Sequence, residues 1–206
     1  MFLRLLRLAE SDGSRCAGLV LLVGAVFGVG LIRLLQEGLQ LSSQQSLRVL
    51  VLAMLHLVGP LVVSLIAFTR LTPLWLRRSR QGGGGGGGWL TLGPALLVGP
   101  LLLIHALVGG LVGGVLANGQ GGLEQRLAQG IGSIVPMDLA SALLRTALYL
   151  AAAALLCLWE ARKRAPNHAG AEDLIATLIA REIALMVGLK LLWILAVNPL
   201  TLPSLP

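Results

Sequence analysis

Five long apolar runs, at about residues 17–35, 49–68, 89–117, 139–159 and 183–197, constrain this chain more than anything else in it. A helix needs about 20 apolar residues to cross the roughly 30 Å hydrocarbon core of a bilayer, and these runs fit that task. Only 12% of the 206 residues are charged, half the roughly 25% of an average soluble domain. With 56% hydrophobic residues and a mean hydropathy of +0.86, too little charge remains to clothe a soluble core. A soluble globular enzyme is therefore excluded. Aromatic residues are 4% of the chain and no strand-like alternation runs through it, which argues against an outer-membrane barrel. The expected fold is an all-α membrane protein: five transmembrane helices in a single domain over residues 1–206, preceded by a short interfacial amphipathic helix at 1–15. In that first segment Arg4 and Arg7 share one side and leucines fill the others, as in helices that lie at a membrane surface. Arginines interleave with leucines there, unlike a cleavable signal peptide.

The net charge of +7 would suggest nucleic acid in a soluble protein. Here the cations sit between the apolar runs, where they set topology. The N-terminal segment holds Arg4, Arg7 and Arg15; the first connection Arg33 and Arg48; the second Arg70, Arg77, Arg78 and Arg80. The third holds Arg126, the fourth Arg162, Lys163, Arg164 and Arg181, and the tail at 200–206 none. This alternation places the N-terminus in the cytoplasm and, across five spans, the C-terminus on the far side. The seven consecutive glycines at 82–88 read as a flexible tether. No Lys-Ser/Thr follows them, so they are not a phosphate-binding P-loop.

Candidate chemistry inside the spans is sparse. Cys16 and Cys157 lie far apart in sequence and form neither a disulfide framework nor a zinc motif. No HExxH, GxSxG or paired carboxylate occurs within a span, so neither an enzyme nor a metal or other cofactor is expected. His56 and His105 fall in spans two and three, as helix–helix hydrogen-bonding groups or as parts of a pocket or relay; His168 lies in a charged loop. Arg145 and Lys190 lie inside spans four and five, and Asp138 precedes Arg145 by two turns. Charges at such depth either reach for the interface or line a polar cavity. GxxxG spacings at Gly24–Gly28, Gly109–Gly113 and Gly110–Gly114 allow close helix approach, within a bundle or in a dimer.

Span two, VLVLAMLHLVGPLVVSLIAFTR, and the start of span four, PMDLASALLR, resemble the MlaE (YrbE-like) family, permeases of MCE-associated lipid ABC transporters. The family's second span typically reads LLRELGPVLTALLVAGR. Gly59-Pro60 and Arg70 match it at the same separation, while His56 and Leu57 stand in place of its arginine and glutamate. Asp138 matches the family's P-x-D-L-x-x-x-L-L-K, with Arg145 where a lysine is usual, and Gly170-Ala171-Glu172 is similar to its GAEG. The family's glutamate-containing coupling helix has no counterpart in 70–81, which holds no acidic residue, and the arginine of its GVGRATT is missing after Glu172.

What the resemblance implies is a permease subunit in the bacterial inner membrane that moves phospholipid or another lipid between the inner membrane and the periplasm or outer membrane. It implies an ABC ATPase, an MCE-domain protein and a second permease subunit, identical or paralogous, as partners, with ATP hydrolysis left to the ATPase. Carried over by position, Leu31, Ile32, Leu35, His56, Leu57 and Val58 would contact lipid, and Arg70, Arg77, Arg78 and Arg80 would meet the ATPase. Asp138, Arg145 and Lys190 are the polar intramembrane candidates. The sequence leaves two other readings open: a non-transporting scaffold subunit of such a complex, and an unrelated five-span protein.

Overall fold

The computed structural model describes residues 2–81, 87–118, 122–163 and 171–197. Helix α1 (Phe2–Arg33) ends in a π-turn at Leu34–Gly38. Helix α2 (Ser43–Ala53) runs through a second π-turn, Met54–Val58, into α3 (Gly59–Gln81). Helices α4 (Gly87–Ala117), α5 (Leu123–Gly132), α6 (Pro136–Lys163) and α7 (Ala171–Val197) follow, and no strand occurs among the described residues.

Among the described residues, four helical stretches are long and apolar enough to cross a membrane: Leu3–Gly38, Ser43–Arg80, Gly88–Ala117 and Pro136–Lys163. They mark a multi-pass membrane protein. The fifth expected span is also helical, but Arg181, Glu182 and Lys190 interrupt the apolar character of α7. The separate interfacial helix expected at 1–15 is instead the opening of α1, which continues without a break into the first span. Nothing in that sequence stops a helix: there is no proline, and Gly13 and Gly18 are tolerated within one. Residues 82–86, His168, Arg164, Gly170 and the tail 198–206 lie outside the described residues.

Local signals explain the helix starts. Ser42 caps α2, its hydroxyl accepting from the Gln45 N–H while the Gln45 side chain accepts from the Ser42 N–H. Pro136 opens α6, where a missing N–H costs nothing, and Asp138 in that first turn complements the positive end of the helix dipole.

The GxxxG spacings are spent inside the chain. Helices α1 and α4 form the closest pairing in the fold. A methyl group added at Gly24 would strike the Ala106 carbonyl, and one at Gly28 the Gly110 carbonyl. In return Gly109 lies on the Leu21 carbonyl and Gly113 on the Ala25 carbonyl. Two backbones in mutual contact gain dispersion along their whole shared length, which is what drives helix association where lipid is as apolar as leucine.

Three polar clamps tie the inner helices together. The Arg78 guanidinium holds the buried Asp12 carboxylate with two hydrogen bonds, of 2.9 and 3.0 Å, and Trp75 Nε1 donates to the same group at 3.2 Å. Glu182 accepts from Thr72 Oγ1 at 2.6 Å and from the Cys157 thiol at 3.3 Å. At the opposite end Asn118 links Gln36 and Ser43. Helices α3 and α6 run in the same direction, because His56 meets Arg145 near the start of both and Thr72 and Cys157 share Glu182 further along. Helix α7 runs antiparallel to them, with Lys190 at the His56 end and Glu182 at the other.

Candidate functional site

Gly59-Pro60 shapes the backbone from which the candidate site grows. Proline carries no N–H, so Pro60 cannot make the ordinary hydrogen bond to the His56 carbonyl four residues earlier. The helix answers with a π-turn at Met54–Val58, in which the Gly59 N–H reaches back five residues to the Met54 carbonyl. Such turns recur at functional sites. The backbone passes so close to Gly59 that a Cβ there would overlap the Met54 oxygen, so glycine is required. The His56 carbonyl, which Pro60 cannot serve, accepts from another helix: Lys190 Nζ lies 2.8 Å away.

The His56 side chain brings the remaining polar groups together. Arg145 Nη2 stands 3.2 Å from Nδ1. A guanidinium only donates, so Nδ1 accepts and the ring proton of a neutral imidazole sits on Nε2. That nitrogen faces Asp138 Oδ1 at 3.6 Å, beyond the reach of a direct hydrogen bond. Arg145 is buried; its Nε donates to the Ser141 carbonyl at 3.3 Å and its guanidinium lies over the Trp193 ring, 5.5 Å from the centroid. Four side chains from α3's entry turn, α6 and α7 thus converge, with Trp193 as an apolar platform. With Arg145 and Lys190 as cations and Asp138 as the carboxylate, the group carries an excess of one positive charge, and His56 and Asp138 keep it open, 43% and 33% exposed.

Arg145 lies nine residues into α6, about 13 Å along the axis at 1.5 Å per residue. Two cations at that depth in an apolar bundle are costly unless met by a counter-charge, and one carboxylate does not balance both. The arrangement therefore suits an anionic group presented from the open side.

The other sequence candidates are distributed as follows. Leu57 is exposed and Leu31 and Val58 are half-buried, whereas Ile32 and Leu35 are enclosed in the core and present no surface to a lipid. Arg70, Arg77 and Arg80 are exposed on α3, and Arg78 is occupied by Asp12. His105 does not join His56: its Nδ1 pairs with the Leu101 carbonyl at 2.8 Å, and it lines a separate groove between α1 and α4 with Glu10 and Ser14. No group of three or more His, Cys, Asp or Glu side chains suited to a metal occurs among the described residues.

Sequence reasoning missed Trp193, Glu182 and Asp12. Glu182 carried a signal, standing eight residues before Lys190 on the same face of a helix. Asp12 carried none, since its partners Trp75 and Arg78 are more than sixty positions away. No protein family and no curated protein matches this chain in sequence.

Proposed function

We propose that this chain is the permease subunit of an MCE-associated lipid ABC transporter, with the His56–Asp138–Arg145–Lys190 cluster receiving the phosphate of a phospholipid headgroup. The convergence of these four side chains carries the reading. Of the residues that carry the family resemblance, Gly59-Pro60 and Asp138 with Arg145 stand in or beside the cluster, the two pairs 78 or more positions apart in the chain, while His56 and Lys190 are this chain's own additions to it. A phosphate offers several acceptor oxygens to the guanidinium and ammonium groups. Its acyl chains would lie along the exposed apolar residues beside it, Leu57 among them, without losing hydrophobic stabilisation. On this reading α7 is the fifth span, the N-terminus is cytoplasmic, and the cluster opens towards the periplasmic side of the inner membrane. ATP hydrolysis and the periplasmic route belong to partner subunits.

A scaffold role has one observation in its favour: the 70–81 segment offers arginines but no acidic residue for coupling to an ATPase. Native mass spectrometry of the chain purified from its own membranes in mild detergent separates the two readings. Bound phospholipid, together with an ATPase and an MCE-domain partner, supports the permease, and its loss in the Arg145→Met/Lys190→Met double variant places the headgroup. Partners without lipid support the scaffold. A chain with neither, under conditions that preserve a control transporter, overturns both.

A further inference from the structure

Below the open cluster, the seam between α3, α6 and α7 stays polar in a way that lipid binding does not require. Along α6, Arg145, Tyr149, Cys157 and Glu160 are buried on one face at helical spacing, with Ala153 filling the remaining position. Along α3 the same face carries Ser64, Phe68 and Thr72, all buried. Along α7 it carries Glu182, Met186 and Lys190. Glu182 is 1% exposed. The two side-chain partners described for it, the Thr72 hydroxyl and the Cys157 thiol, are both neutral. Its chain neighbour Arg181 turns instead to Glu160, at 3.4 Å. Ser64 Oγ and Tyr149 Oη are also fully enclosed, and neither has a hydrogen-bond partner among the described residues.

These observations belong together. A hydroxyl closed off from solvent and unpartnered by protein is the ordinary place for a bound water. Tyr149 lies one turn below Arg145, and Ser64 lies midway between His56 and Thr72, about 12 Å from each along the helix. By their positions along α3 and α6 the two orphan hydroxyls therefore stand at levels between the open cluster and Glu182, with Phe68, Ala153 and Met186 at the intervening positions of the three helices. On the other side of Glu182, Leu76, Leu174 and Leu178 form a separate apolar cluster. Thr72 suits both states of its partner: its hydroxyl donates to a carboxylate and, rotated, accepts from a protonated carboxyl.

We propose that Glu182 is a proton-binding site inside the bundle, loaded and unloaded along the α3–α6–α7 seam through the hydroxyls of Tyr149 and Ser64. A proton arriving from water at the His56–Asp138 opening forms an O–H bond on a Glu182 carboxylate oxygen, and Thr72 turns from donor to acceptor. Release reverses both steps, with no change in oxidation state. The groups facing Glu182 are Thr72 from α3 and Cys157 from α6, with the Arg181–Glu160 pair beyond them. This proposal does not depend on the lipid reading.

Infrared spectroscopy of the full chain in lipid nanodiscs tests it. The protonated-carboxyl C=O band, followed over an acid titration and after transfer to deuterated buffer, is expected to contain a component that vanishes in Glu182→Gln. Thr72→Val keeps the carboxyl but removes its hydrogen bond, so the same component moves to higher frequency, which identifies it even where Glu182→Gln folds poorly. The Tyr149→Phe/Ser64→Ala variant is expected to slow its deuterium shift several-fold. A carboxyl band untouched by both Glu182→Gln and Thr72→Val overturns the proton site. An exchange rate equal to that of the unaltered chain in the Tyr149→Phe/Ser64→Ala variant overturns the route.

Discussion

Replacing Gly28 by alanine tests how the bundle is held together. The added methyl group would land on the Gly110 carbonyl, with the Gly114 backbone nitrogen 2.9 Å away. Both obstacles are backbone, so no side chain can rotate to make room, and α1 must move away from α4. Overpacking of this kind costs about 1–3 kcal/mol, and the rigid surroundings place Gly28→Ala towards the upper end. Gly30 supplies the control two residues away, because a Cβ there meets nothing within 4 Å. Gly30→Ala should be neutral or, through helix propensity, stabilising by up to about 1 kcal/mol. A second obstacle at Gly113, which faces the Ala25 carbonyl, should add less in combination than alone, since the helices have already separated. Unfolding by SDS in mixed micelles, read by the fluorescence of the four tryptophans, measures all four variants. Equal effects of Gly28→Ala and Gly30→Ala would mean that α1 does not pack on α4 through this face, and the use of the GxxxG pairs within one chain would fall with it.

Two further substitutions probe the interior by the same assay. Arg78→Ala strands the Asp12 carboxylate, 2% exposed at its side chain, and should cost about 3–5 kcal/mol, whereas Arg77→Ala and Arg80→Ala should stay within about 0.5 kcal/mol; comparable losses at all three arginines would dissolve the clamp. Ile32→Ala removes a fully enclosed side chain and should cost about 2–5 kcal/mol, with no change in bound lipid. A selective loss of lipid from Ile32→Ala, with stability intact, would reopen the core-facing end of α1 as a lipid contact.

Legibility in the sequence followed the range of the physics involved. The apolar runs and the small-residue spacings are local patterns, and four of the runs became helices able to cross a membrane because backbone hydrogen bonds in lipid leave little alternative. Helix α5 was also written locally, with Leu123, Leu127 and Ile131 four residues apart, but so short a run is hidden among glycines. The partner of each GxxxG was not legible, because a stripe of glycines says that something comes close and not what. The same holds for the intramembrane charges. Asp138 and Arg145 could be paired on one helix face from spacing alone, but bringing His56 and Lys190 to them depends on the rotation of three helices about their axes. Ile32 shows the same limit: the resemblance names it a lipid contact by its place in the sequence, but the rotation of α1 encloses its side chain in the core.

Lys190 and Pro60 permit that tertiary dependence to be measured. Lys190→Met removes the ammonium donor from the part-buried His56 carbonyl, and the loss of a hydrogen bond from a charged donor costs about 1.5–3 kcal/mol. Pro60→Ala restores a backbone N–H four residues after His56, able to take over the same carbonyl in a regular α-turn. If the ammonium is held by the vacancy that proline creates, the two substitutions must compensate. Lys190→Met should then cost less in the Pro60→Ala background than alone, with a coupling within the 0.5–3 kcal/mol seen for residues that share a partner. Strict additivity would mean that Lys190 reaches the cluster for its charge alone and that the π-turn has another cause. A coupling of the expected sign would join sequence to site in one step: the Gly-Pro pair opens the backbone, the opening draws a lysine from another helix, and that lysine leaves the cluster with one more positive charge than Asp138 can balance.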